Sequence, residues 1–185
     1  MINRFDTMEK PFLLGNLKLD EAALRKIFIY NLNKIYPILL HLANHLPELA
    51  ATTCYGDLQN AILELSSEVN IQAARVDAIF LQLKEVPVRK VSPATNSVLQ
   101  VLVPDSGYSY LDGLSKDLSL VFHLQKVLNI KKNYFYILKS IAGSFNNINI
   151  KQHLQYSCDE CEDNQLIFKL IAKEYMESSI NPFLV

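Results

Sequence analysis

The sequence predicts an all-α fold: four long helices packed as a bundle, in two helical hairpins joined by a long crossover. Three observations predict it. Apolar residues recur at alternating steps of three and four along extended stretches, the spacing that turns one stripe of a helix toward its neighbours. Hydrophobic residues make up 50% of the 185, enough for a packed core and too many for a disordered chain. Only 5 residues are Gly and 7 are Pro, which leaves little turn chemistry for the reversals of a many-stranded sandwich or barrel.

Residues 1–19 read as an irregular lead-in, punctuated by Pro11 and Gly15. Asp20 and Glu21 then offer an N-cap and an acidic first turn for a helix to about His45, with a kink expected at Pro37. Leu46 to Tyr55, with Pro47, reads as a connection. The second helix starts near Gly56 and Asp57. Its seam is Leu58, Ile62, Leu65, Val69, Gln72, Val76, Ile79 and Leu83, and Pro87 is expected to end it. A crossover over about 88–108, with Pro93, Pro104 and Gly107, is too long for neighbouring antiparallel helices and is expected to span the bundle. The third helix runs from about Leu111 to Ala142 on the seam Val121, Leu124, Leu128, Lys131, Phe135 and Leu138, with Gly143 at its C-cap. The fourth carries Leu154, Cys158, Cys161, Gln165, Phe168, Ala172 and Tyr175 on one face, and residues 178–185 form an apolar tail. One bundle domain over 20–177, made of two hairpins and one crossover, is the ferritin-like way of building four helices.

Composition narrows the function. Lys and Arg total 18 against 19 Asp and Glu, so the electrostatic footprint of a nucleic-acid binder is missing. Met1 to Lys10 carries charges of both signs and no apolar core of a signal peptide, and Ile27 to Leu42 is too interrupted to cross a membrane. Three cysteines, Cys54, Cys158 and Cys161, form no disulfide framework, so the cytoplasm is the expected compartment. Cys158 and Cys161 have metal or redox spacing, but in mid-helix the pair reads as two small core-facing residues. His41, His45, His123 and His153 are dispersed and share no constellation. No glycine-rich loop opens a helix onto a phosphate, and no nucleophile elbow is present. Lys131 and Lys132 with Tyr134, Phe135 and Tyr136 point around different sides of a helix and do not form a stacking platform for bases.

The informative positions are polar residues on otherwise apolar seams: Asn33, Gln72, Lys131 and Gln165, with Glu68 and Glu160 flanking them. At the same places the chain resembles the YciE/YciF-type ferritin-like proteins, a bacterial group linked to stress responses, over roughly residues 20–176. Ile29-Tyr30-Asn31-Leu32-Asn33-Lys34 is similar to that family's Leu-Tyr-Asp-Ala-Glu-Lys opening. Arg75-Val76-Asp77-Ala78-Ile79-Phe80 is similar to its Arg-Leu-Glu-x-Ile-Phe. Gln125-Lys126-Val127-Leu128-Asn129-Ile130-Lys131 resembles Gln-x-Val-Glu-His-Tyr-Glu, and Cys158-Asp159-Glu160-Cys161 stands where the family has Leu-Asp-Glu-Glu.

The resemblance implies a bundle whose mid-section holds a di-metal centre on carboxylates and imidazoles. This chain departs from that donor set on every helix. Asn33 stands for Glu and Gln72 for His; Leu128, Asn129 and Lys131 stand for Glu, His and Glu; Cys161 stands for Glu and Gln165 for Asp. Glu68 and Glu160 remain. A lysine at such a centre repels divalent cations. The expectation is a non-enzymatic structural or interaction protein of the stress-response type, without a di-iron centre or other cofactor, forming a homodimer. Lys131 is expected to pair with Glu68, Glu160 or both. Two alternatives are a residual single-metal site on Glu68, Glu160 and Cys161, and a small-ligand pocket lined by Asn33, Gln72 and Gln165.

Overall fold

The computed structural model describes residues 19–90, 93, 96, 110–145 and 147–178. The lead-in, most of the crossover and the apolar tail expected from the sequence lie outside them. Four helices are formed: α1 (Glu21–Thr52), α2 (Gly56–Leu83), α3 (Gly113–Ala142) and α4 (Ile148–Ser178).

Local chemistry starts and stops them. The Asp20 side chain accepts the Ala23 N–H at 2.7 Å and opens α1. Asp112 does the same for α3 through Ser115, and Asn147 for α4 through Ile150. Two boundaries differ from those read in the sequence. Helix α1 does not stop near His45 but continues through Pro47 to Thr52, because Leu46 and Ala50 are buried and extend the seam Phe28, Leu32, Ile35, Leu39 and Leu42. Burial along that seam outweighs the one backbone hydrogen bond that a proline removes. Helix α2 ends before Pro87 is reached. Lys84 adopts a left-handed conformation (φ 57°), and the Glu85 N–H closes back onto Phe80 O at 3.0 Å. Gly143 does sit at the C-cap of α3, though with right-handed helical angles.

Helix α1 packs on α2 and α3, and α4 packs on the same two helices. The contacts fix the chain direction. Near one end, Phe28 at the start of α1 meets Phe145 just beyond α3, ring centroids 5.0 Å apart, and Arg25 donates to Leu83 O at the end of α2. At the other end, the α1–α2 turn meets the start of α3 and the end of α4. Helix α2 therefore ends at the opposite end of the bundle from where α3 begins, the arrangement of two hairpins joined along the bundle's length.

A buried carboxylate ties that second end together. Asp117 on α3 is 3% exposed, and its Oδ2 accepts the N–H groups of Cys54 and Tyr55 at 2.9 Å and the Tyr175 hydroxyl at 3.0 Å. One side chain thus serves the α1–α2 turn and α4 together. Tyr55 and Tyr175 meet edge to face at 5.4 Å, and the Tyr55 hydroxyl reaches Glu174 at 2.6 Å. The approach is close enough that a Cβ on Gly113 would come within 2.7 Å of Cys54 Sγ. Among the described residues, no helix is long and apolar enough to cross a membrane.

Candidate functional site

Three helices bring polar side chains into the middle of the bundle. Helix α2 supplies Glu68, Gln72 and Arg75, whose spacing of four and three places them on one side of the helix. Helix α3 supplies Lys131, which is fully buried, and beside it the aliphatic Leu128. Helix α4 supplies Glu160, Cys161 and Asn164. Helix α1 faces this layer with aliphatic and aromatic residues only, because its seam passes through Leu32, Ile35, Tyr36 and Leu39.

Both carboxylates are committed. Glu160 Oε2 accepts from Arg75 at 2.7 Å and from the Gln72 amide at 2.8 Å. The guanidinium in turn lies over the Tyr156 ring, 5.6 Å from its centroid. Glu68 Oε2 accepts from Asn164 Nδ2, which also reaches Glu160 O, one turn back on its own helix, at 2.7 Å. Burial raises the Glu68 carboxyl above its usual range, against the pull of the Asn164 hydrogen bond.

Lys131 lies in this layer but makes neither of the ion pairs expected of it. Its Nζ is buried and has no hydrogen-bond partner in the protein, and the cation that meets Glu160 is Arg75. The carboxylate of Glu160 is already occupied by Arg75, three residues beyond Gln72 on α2. Burial holds the Lys131 amine well below its ordinary range, although Cys161, Glu68 and Glu160 draw it the other way. Burial also pushes the Cys161 thiol up to about 11, with Lys131 opposing. The neighbouring Cys158 thiol is raised by burial too. Both are protonated core residues at neutral pH rather than reactive thiolates.

Of the positions singled out in the sequence, the structure gathers Glu68, Gln72, Leu128, Lys131, Glu160 and Cys161. It places Asn33, Asn129 and Gln165 elsewhere. Asn33 stands one residue off the α1 seam, and its Oδ1 accepts the Val88 N–H at 2.7 Å on the outer side of the helix. Gln165 and Asn129 bond to each other across the outer α3–α4 groove, where Lys132 also reaches Gln165. A small-ligand pocket lined by Asn33, Gln72 and Gln165 is therefore not formed. Sequence reading missed Asn164 and Arg75. From Cys161 the seam steps by three to Asn164 and then by four to Phe168, whereas the opposite order selects Gln165. The signal for Arg75 was its place one turn beyond Gln72. His41 and His45, four apart on α1, stack with centroids 3.9 Å apart, and burial together with His45 lowers the His41 pKa.

These residues do not suit a di-metal centre. Two cations need several anionic or imidazole donors with free lone pairs. Here no imidazole enters the layer, one carboxylate already holds an arginine, and a lysine fills the place opposite. Among the described residues, no three His, Cys, Asp or Glu side chains converge as a metal site requires.

No family model matches the chain, and no curated protein matches it. Solved structures do. The chain is similar to the E. coli stress protein YciF, with a TM-score of 0.74 at 17% identity over 83% of this chain and 97% of that one. It is also similar to YcfI from Rhodopseudomonas palustris, for which a structural role has been suggested, with a TM-score of 0.71 at 18% identity over 85% of this chain and 98% of that one. The likeness covers most of both chains, so the fold is the ferritin-like four-helix bundle of YciF, in keeping with the resemblance read from the sequence.

Proposed function

We propose that this chain is a metal-independent ferritin-like bundle, acting as a structural or interaction protein of the stress-response type rather than as an enzyme. The observation that carries the reading is Lys131. A fully buried lysine stands where a di-metal centre needs an anionic donor, and the surviving carboxylates are occupied by Arg75, Gln72 and Asn164. Each substitution removes affinity for a cation, and together they replace ligands with a hydrogen-bonded layer. A single metal on Glu68, Glu160 and Cys161 is disfavoured, because the thiol is protonated at neutral pH and both carboxylates already accept from Arg75, Gln72 and Asn164. The stress-response label follows the description of YciF, and the non-enzymatic label follows that of YcfI. Elemental analysis of protein purified without added metal tests the reading. Less than a tenth of an equivalent of iron, manganese and zinc per chain is expected, and a stoichiometric metal overturns it.

The same reading includes a homodimer. Helices α2 and α4 are neighbours, and they leave Leu63, Ile71, Leu166 and Leu170 about half exposed. Such apolar surface is costly to leave in water. Light scattering after gel filtration should return twice the mass of the chain, and a monomer at micromolar concentration would remove this part of the proposal.

A further inference from the structure

His41 and His45 stand four residues apart on α1, one turn above the other, on the flank of the helix away from its buried stripe. His45 is exposed and His41 half-buried. Their rings lie almost parallel, with centroids 3.9 Å apart and planes inclined by 22°. One hydrogen bond sets the chemistry of the pair: His45 Nδ1 lies 2.8 Å from the His41 carbonyl oxygen. A carbonyl only accepts, so Nδ1 holds the proton, and in the neutral ring the Nε2 lone pair is left over. Burial and the neighbouring His45 lower the His41 pKa, so at neutral pH this ring too is uncharged and keeps a lone pair. Among the described residues, neither His45 Nε2 nor a ring nitrogen of His41 meets a protein hydrogen-bond partner.

We propose that His41 and His45 form a two-imidazole clamp on the outside of α1 for a late first-row divalent metal ion, copper(II) before nickel(II) or zinc(II). Two histidines at this spacing on one helix face present two nitrogen donors to a single ion. Nitrogens bound to one such ion at about 2.0–2.1 Å stand about 2.9–3.4 Å from each other, so rings already 3.9 Å apart need only tilt their edges together. The bond from His45 Nδ1 to a backbone carbonyl is the kind of outer support that orients a ligating imidazole. Imidazole donors favour these ions over calcium or magnesium, and copper(II) binds most strongly among them. Glu48, three residues past His45 on the same side of α1, brings an exposed carboxylate nearby. No third His, Cys, Asp or Glu converges among the described residues, so water fills the other positions and the ion is held reversibly. The clamp is separate from the mid-bundle layer, which α1 meets with aliphatic and aromatic residues.

The test is titration of the full chain with copper(II) sulfate after EDTA treatment, with the exposed Cys54 alkylated so that its thiol neither binds nor reduces the ion. Electron paramagnetic resonance should show one equivalent of copper(II) per chain bound by two imidazole nitrogens. His41→Gln and His45→Gln should each weaken binding about tenfold or more, with helix content by circular dichroism unchanged. Equal copper affinity in the native chain and either variant overturns the proposal, as does a native spectrum with a single imidazole nitrogen. The native spectrum does not depend on the stability of either variant. Copper is added here after chelation, whereas the metal-free reading of the mid-bundle concerns iron, manganese and zinc retained through purification, so the two can fail separately.

Discussion

Lys131 concentrates the unusual energetics of this core. A buried amine without an ion-pair partner costs more than an apolar side chain of similar length, because desolvation is not repaid by a close counter-charge. Lys131→Met should therefore stabilise the protein by about 1–4 kcal/mol, read as a raised melting temperature in thermal unfolding. The pH dependence has a definite sign. The folded-state pKa of Lys131 is depressed below 10.5, so the unfolded chain takes up a proton there that the folded chain refuses. Stability from this group rises with pH toward 10.5. Cys161 opposes only above about pH 9, since its thiol stays protonated in the fold up to about 11. Glu68, raised from 4.5, opposes on the acid side, and Glu160 and Arg75 face the same layer. As pH rises toward 9, below the range in which Cys161 opposes, urea unfolding of the native sequence should show a gain, at most about 1.4 kcal/mol per pH unit. The gain should be absent in Lys131→Met; equal slopes in the two proteins would refute this assignment. The polarity of Lys131 was legible in the sequence. The partner of Glu160 was not, because Arg75 and Lys131 are both cations at plausible spacings and only the packing shows which one reaches the carboxylate.

At the scale of the elements, stability is concentrated at helix ends. Lys84 occupies a left-handed position that glycine adopts without strain, so Lys84→Gly should add about 0.5–1 kcal/mol in chemical denaturation. A loss would show that the Lys84 side chain contributes more than its backbone costs. Asp117 acts in the opposite sense. Replacing it with Ala leaves the Cys54 and Tyr55 N–H groups and the Tyr175 hydroxyl without their acceptor. Asp117→Ala should cost about 2–4 kcal/mol by the same measurement, and a cost under about 1 kcal/mol would mean that water replaces the carboxylate easily. Four helices, their order and two of their caps, Asp20 and Gly143, could be read from the sequence, as could the start of α2 at Gly56. The longer α1 could not. Proline looks like a terminator locally, and whether Leu46 and Ala50 hold the helix together beyond it depends on what packs against them.

For the whole molecule, the bundle predicts how its thiols behave. Cys54 is exposed, while Cys158 and Cys161 are 2% and 0% exposed. A disulfide reagent should label about one thiol per native chain, and the remaining two only as fast as the bundle unfolds globally. Rapid labelling of all three would mean that the α4 seam opens locally. The sequence by itself determined that the chain is a four-helix bundle and that its middle is polar, because hydrophobic periodicity and seam interruptions are properties of each helix alone. The tertiary structure decided which interruptions meet. Rotating a helix by one residue turns a side chain by about 100°, so Asn33 and Gln165 face outward while their near neighbours Leu32 and Asn164 face in. Such a difference is smaller than sequence spacing can resolve, yet it separates a layer built from Glu68, Gln72, Arg75, Lys131, Glu160 and Asn164 from the one the seams alone describe.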